Sequence, residues 1–372
     1  MIGDPAPRAG AILEIDLAGI AANWRQLARS VEPADCAAVV KADAYGLGAA
    51  RVAPALATAG CRQFFVATIE EGIALRSVLP HPFEIAVLNG LLPGCAQEFF
   101  EYGLIPVLNE PGQIADWLQF CCGRGELPAM LHVDTGMNRL GLSTREFDGL
   151  TDELFVRSPI VWRALVSHLA CADEPEHPLN KAQRARFASA RRRCARIPAS
   201  LAASSGLFLG REFHFDLVRP GAALYGINPQ PGHPNPMRPV IRLKARILQI
   251  REVDPGQPVG YGAAYVMDGA GRLATVAVGY ADGWFRSLGN RACGRLGGKR
   301  VPLIGRVSMD LVVFDVSGVD PALAQPGGFI ELLNDDYGAD AAAADAGTIG
   351  YEILTALGRR YHRIYHGTPI QC

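Results

Sequence analysis

The stretch CAAVVKADAYGLGAARVAPALATAG, residues 36–60, decides the fold. An apolar run ends at Lys41, Gly46 and Gly48 follow within seven residues, and an alanine-rich helical pattern continues to Gly60. A continuous apolar run suits a strand buried on both faces, as in a parallel sheet covered by helices. A strand that passes straight into a helix is one step of an α/β repeat. The lysine is the odd feature. A strand running out into solvent accounts for it, and that is the ordinary state of a lone lysine. A reactive amine at the mouth of a pocket accounts for it together with the tyrosine and glycines behind it.

The same alternation extends outward from residue 11 to about residue 227. AILEIDL leads into GIAANWRQLARSV, QFFVAT into IEEGIALRSVL, and FEIAVLNG, LIPVLNE, AMLHVDTG, VWRALVSHL and FDLVRPG follow. Eight or so such units predict a (β/α)8 TIM barrel, with a doubly wound open sheet as runner-up. NPQPGHPNPMRP, residues 228–239, cannot continue a helix or a central strand and reads as a linker. Beyond it VIRLKARILQIREV, RLATVAVGY, RVPLIGRVSMDLVVFDV and GFIELL alternate with glycine turns. The organisation predicted is a barrel over residues 1–239, including an N-terminal strand and the linker, and a mainly β domain over 240–372. ADAAAADAG near residue 340 reads as a loop or a short helix.

Composition narrows the function. Of 372 residues 37 are acidic and 36 are lysine or arginine, so no broad basic face offers itself to nucleic acid or a membrane surface. Nine cysteines, an odd number without a C-x-x-C pair, signal neither a disulfide framework nor a zinc site. The start, MIGDPAPRAG, lacks the apolar core of a secretory signal, and no apolar run approaches the ~18 residues of a membrane span. These features predict a cytoplasmic protein with a small-molecule substrate and no bound metal.

Active groups of a (β/α)8 barrel sit where its strands end. Lys41 ends VVK, Asp134 and Arg139 follow AMLHV, His168 ends ALVSH, Ser204 and Ser205 follow PASLAA, and Arg219 ends FDLVR with Gly221 behind it. Taken singly, each has a dull explanation as a solvated or structurally bonded side chain. No P-loop, no complete dinucleotide fingerprint, no H-E-x-x-H and no G-x-S-x-G elbow is present. A lysine, two arginines, tyrosines and glycine-flanked turns remain. Glycine-rich turns present N–H groups that suit a phosphate. A lysine beside them points to pyridoxal phosphate held as a Schiff base. Tyrosines beside glycines in GYGAAYV, GYADGW and TIGYE are ordinarily hairpin packing, but a tyrosine with cationic neighbours can also move a proton.

VVKADAYGLG, HVDTGMNRLG, SHLACAD, VRPGAALYG, VGYGAAY, GYADGW, GRVSMD and TIGYE, in this order, resemble the alanine racemase family over nearly the whole chain. The resemblance implies a barrel that binds pyridoxal 5'-phosphate, a β domain behind it, and a head-to-tail homodimer with shared active sites. It implies interconversion of L- and D-alanine by a two-base mechanism on a pyridoxal phosphate aldimine, for cell-wall synthesis or for catabolism. In that reading Lys41 carries the cofactor and works on one face of the substrate, and Tyr261, from the partner chain, works on the other. Arg219 meets the pyridine nitrogen, and His168 links Arg219 to the tyrosine. Tyr45, Ser205, Gly221, Ala222 and Tyr351 correspond to phosphate-binding positions, Arg139 and Met309 to contacts with the substrate carboxylate.

Three positions depart from the family pattern. His132 stands where many members have a lysine modified to a carbamate, so what positions Arg139 is open. Ser204 precedes Ser205 where an asparagine is common, and Ser308 precedes Met309 where a cysteine is common. A racemase of broader or different specificity, for serine or lysine, is the alternative. A decarboxylase of the same architecture lacks its motifs here, and a cofactor carrier of the single-barrel kind would lack the β domain.

Overall fold

The computed structural model describes residues 8–367. They divide into two compact units, one of residues 20–238 and one that joins residues 8–19 to residues 239–367.

In the first unit the strands Ala38–Val39, Gln63–Val66, Glu84–Val87, Ile105–Leu108, Leu127–His132, Ile160–Val166 and Ala199–Ser200 lie side by side in chain order, all parallel. An eighth strand, Leu217–Val218, pairs in parallel with Asp35–Cys36, just ahead of the first. On its other side the Asp216 N–H donates to Ala199 O and the Arg219 N–H to Ala202 O, each at 2.9 Å. The ring therefore closes as a (β/α)8 barrel. Its strands are apolar because both faces are covered: Phe64, Phe65, Ile85, Leu108, Leu131, Ala164 and Leu165 are fully buried.

Helix starts in this unit follow local chemistry. Thr68 accepts the Glu71 N–H ahead of the helix Ile69–Arg76. Glu110 accepts the Gln113 and Gly112 N–H groups, with Pro111 in the first turn of Pro111–Cys121. Ser143 and Glu146 form a reciprocal capping box on Thr144–Asp148. After the eighth strand only a short 3-10 turn, Ala222–Tyr225, follows. The helix ahead of the first strand is tied to it there: the Asn23 amide donates to Leu224 O (3.2 Å) and Arg238 O (3.0 Å). Residues 228–239 are neither helix nor strand, as their prolines require.

One sequence expectation is corrected. AILEIDL was expected to open the barrel; the strand Ala11–Asp16 instead pairs antiparallel with Ile241–Val253 and parallel with His362–His366 in the second unit. The barrel draws its seventh strand from PASLAA. An apolar period says that Leu13 and Ile15 are buried, which they are, but not in which sheet.

The second unit is mainly β. Its long strand Ile241–Val253 bends at a bulge between Ile247 and Gln249. The order Gly271–Val276, Val312–Asp315, Lys299–Ile304, Cys293–Leu296, Phe329–Leu333, Ile241–Val253 returns to Gly271–Val276, so six antiparallel strands close on themselves. The alanine-rich tract forms the helix Ala339–Ala346, followed by Gly350–Ala356. Among the described residues no helix is long and apolar enough to cross a membrane, and no cluster of potential metal ligands occurs.

Candidate active site

Lys41 stands one residue past the buried pair Val39 and Val40. Burial, and then the charge of Arg139, push its amine below the usual lysine range, while Glu71 pulls the other way. Behind it Gly46 and Gly48 turn the chain at φ of 82° and 94°, and a left-handed run begins already ahead of them, with Ala42, Asp43, Ala44 and Tyr45 at φ of 52°, 54°, 55° and 55°. That conformation costs a non-glycine residue roughly 1–2 kcal/mol. The turn is closed by Ala44 N–H to Val40 O (2.9 Å), Gly46 N–H to Ala42 O (2.7 Å) and Ala49 N–H to Asp43 Oδ1 (2.7 Å).

The turn delivers Tyr45 to the eighth strand end. Its buried ring lies against Tyr225 at 4.8 Å between centroids, and the Tyr225 hydroxyl donates to Val39 O (2.9 Å). A Cβ at Gly221 would run into the Tyr45 hydroxyl and stand 3.0 Å from Cζ. Glycine here is a requirement of close approach. The Ser204 hydroxyl accepts the Gly221 N–H (3.0 Å) and the Ala223 N–H (3.2 Å). Ser205, expected at the phosphate, begins the 3-10 turn Ser205–Phe208, and Ala222 is buried between the two N–H groups that Ser204 holds.

Arg219 is the buried cation of the barrel mouth. Its guanidinium donates to Ser200 O (2.9 Å), to the Ser200 hydroxyl and to Ser167 O (2.6 Å). All of these bonds use the terminal nitrogens, and the Nε–H meets no acceptor among the described residues. Burial lowers its pKa to about 10, so it remains charged at neutral pH.

Burial, and then this cationic surrounding, keep His168 and His132 neutral. Burial first, then Arg219, Arg139 and Lys41, lower His168 to about 3. Burial and Arg219 lower His132 to about 4, against the pull of Asp134. The His132 Nδ1 lies 2.6 Å from Asn109 Oδ1. The Asn109 amide nitrogen donates to Leu88 O (3.0 Å) and Val107 O (2.8 Å), which fixes its oxygen toward the ring. An amide oxygen only accepts, so Nδ1 carries the proton and Nε2 presents a lone pair.

Arg139 rides on a loop built by Asp134, whose carboxylate accepts the N–H groups of Gly136, Met137 and Asn138 at 2.9–3.0 Å. The buried Gln183 ties that loop to the next strand end, donating to Thr135 Oγ1 (3.3 Å) and His168 O (2.9 Å) and accepting the Ala170 N–H (2.9 Å). The exposed Arg139 guanidinium has no hydrogen-bond or ion-pair partner among the described residues and is available to an anion. Asn109 and Gln183 carried no signal in the sequence, since nothing local marks an amide whose partners lie on other strands.

Three expected site residues belong to the second unit: Tyr261, Met309 and Tyr351, which are 73%, 54% and 36% exposed. Tyr261 starts a 3-10 turn between Gly260 and Gly262, both at φ 68°. Met309 is held by its backbone: Ala281 N–H donates to its carbonyl and Tyr280 N–H to Ser308 O, each at 3.0 Å. Arg360 locks this block, binding the buried Asp282 through Nε (2.6 Å) and a terminal nitrogen (2.8 Å), and Asp310 (2.7 Å).

A lysine amine whose pKa burial lowers, a buried arginine with an unused donor and a strand end that a Cβ would obstruct fit an aldehyde cofactor with a basic ring nitrogen and a phosphate. The comparisons with known proteins agree. The family model for the alanine racemase N-terminal domain matches residues 15–229, and that for the C-terminal domain matches residues 240–365. The chain belongs to the alanine racemase family. It is 52% identical to an alanine racemase of Rhodospirillum rubrum over 97% of each chain. It is 49% identical to a catabolic alanine racemase of Mesorhizobium japonicum, over 96% of this chain and 94% of the other. The crystal structure of alanine racemase from Bartonella henselae with covalently bound pyridoxal phosphate superposes with a TM-score of 0.91 at 42% identity, covering 96% of this chain and 99% of that one.

Proposed function

We propose that this enzyme interconverts L- and D-alanine with pyridoxal phosphate, using Lys41 and Tyr261 on opposite faces of the substrate. The observation that carries the reading is the barrel mouth itself, where the buried His168 feels the charges of Arg219, Arg139 and Lys41, and Lys41 that of Arg139. When bound, pyridoxal phosphate draws electrons from the substrate α-carbon and makes its proton labile.

The chain's residues do the rest. Lys41 holds the cofactor, and burial, which lowers its pKa, eases release of the proton its amine takes up. Arg219 offers its Nε–H to the ring nitrogen and, remaining charged, does not hand the proton over. Tyr45, Ser205, Gly221, Ala222 and Tyr351 bind the phosphate. In this chain the Ser204 hydroxyl accepts the Gly221 and Ala223 N–H groups and so holds this strand end in shape. Arg139, without a partner among the described residues, takes the substrate carboxylate, and Met309 flanks it. Neutral His168 passes polarity between Arg219 and the tyrosine. Racemisation needs a second group on the far face, and Tyr261 supplies it.

The exposure of Tyr261 and Met309 supports a homodimer in which each chain completes the other's site. The eight described cysteines are all free thiols, which suits a cytoplasmic enzyme.

Purified protein supplied with L-alanine should form D-alanine. Lys41→Ala should lose the visible absorption of the bound cofactor together with activity. Tyr261→Phe should keep the absorption and lose racemisation by roughly 10²–10⁴-fold. Parental activity in Tyr261→Phe would overturn the two-base assignment. Faster turnover of serine or lysine than of alanine would overturn the substrate.

A further inference from the structure

In the sequence, Thr68-Ile-Glu-Glu71 has the form of a capping box, and Thr68 does accept the Glu71 N–H. The Glu71 carboxylate does not complete that box. Its Oε2 accepts the Ala67 N–H at 2.8 Å, one residue ahead of the cap and just past the strand Gln63–Val66. Its Oε1 reaches across to the Ala42 N–H at 2.6 Å. Ala42 follows Lys41 directly and is the first of the four left-handed residues. Such a run persists only where its surroundings over-determine it. The turn's own bonds start from Ala44, leaving the Ala42 N–H without a partner inside the turn. Glu71 is that partner.

We propose that Glu71 is a positioning residue for the Lys41 amine. Its carboxylate ties Ala42 to the end of the second barrel strand and holds the left-handed turn against the strand that carries the lysine. The same turn delivers Tyr45 to Gly221, so one carboxylate aligns the amine and the tyrosine together. Its charge acts in the same place. Glu71 favours the protonated amine, Arg139 on the loop after the fifth strand opposes it, and His168 after the sixth is neutral. The proposal rests on the assignment of Lys41 as the residue that holds pyridoxal phosphate.

Glu71→Gln keeps the shape and one acceptor but removes the charge, while Glu71→Ala removes both bonds. Two measurements on the full-length chain separate geometry from charge. In the first, hydrogen exchange of amides 42–46 should quicken at least about tenfold in Glu71→Ala, as expected for losing a bond to a charged acceptor, with the other barrel strands unchanged. Exchange at the parental rate would overturn the clamp. In the second, pyridoxal phosphate is added, the product is trapped with borohydride, and the Lys41 peptide is weighed across a pH series. The free amine attacks the aldehyde, so Glu71→Gln should move the profile to lower pH. A profile that overlays the parent's would overturn the electrostatic role. If Glu71→Ala loses structure generally, Glu71→Gln, which can keep only one of the two bonds, should speed exchange at Ala42 or Ala67, and parental exchange at both would overturn the clamp. If the parent chain itself traps no pyridoxal phosphate, the functional reading falls, while the exchange measurement still decides the clamp.

Discussion

His132 shows how one side chain can be fixed by what surrounds it. Asn109, itself aligned by two carbonyls, sets the tautomer, and burial together with the arginines keeps the ring neutral. Neutrality has a consequence for stability. As pH falls below about 6.5 the unfolded chain protonates this ring, while the folded chain resists until about 4. The unfolded state then binds more protons, so stability falls with pH across that window, by about 1.4 kcal/mol per unit for each such ring. His168, held at about 3, adds to the same slope. Denaturant midpoints should therefore drop between pH 6.5 and pH 4.5, and less steeply in His132→Gln. Equal slopes in parent and variant would mean that the folded chain lets His132 ionise freely.

At the scale of elements, the turn after Lys41 and the turn after Arg219 are built against each other. At Gly221 φ is −125°, outside the left-handed region, and the Tyr45 hydroxyl stands where a side chain would begin. Gly221→Ala should destabilise the barrel by about 1–3 kcal/mol, the usual cost of overpacking. Adding Tyr45→Phe removes the colliding oxygen and should recover part of the loss, a coupling above about 0.5 kcal/mol in urea unfolding. Strict additivity would show that the two turns do not press on each other. Lys41 and Arg219 were legible in the sequence because a charged residue ending an apolar run has few places to go in a barrel. The hand of the turn between Lys41 and Gly46 was not. Ala42 and Ala44 have no left-handed preference, and what holds them, Glu71, lies 29 residues on from Ala42. Ser204 is a similar case: its neighbour Ser205 matched the family pattern, yet the hydroxyl that organises the Gly221 amide is that of Ser204.

At the scale of the molecule, both ends of the described chain belong to the mainly β unit. Ala11–Asp16 pairs with His362–His366 as well as with Ile241–Val253. A period of apolar residues could not reveal this, because it reports burial and not partner. The proposed exchange of residues between chains also belongs to this scale. Lys41 lies in the barrel unit and Tyr261 in the other. If each site combines the Lys41 of one protomer with the Tyr261 of its partner, then Lys41→Ala and Tyr261→Phe, each nearly inactive alone, should complement when mixed and allowed to exchange subunits. A mixed dimer places both defects in one site and leaves the other intact. Random reassortment at equal concentrations makes half the dimers mixed, so activity should rise to about a quarter of the parental value under closed two-fold symmetry. The recovery should depend on mixing under conditions that dissociate the dimer. If each chain completed its own site, every site in every dimer would carry a defect, and the mixture would stay as inactive as its components.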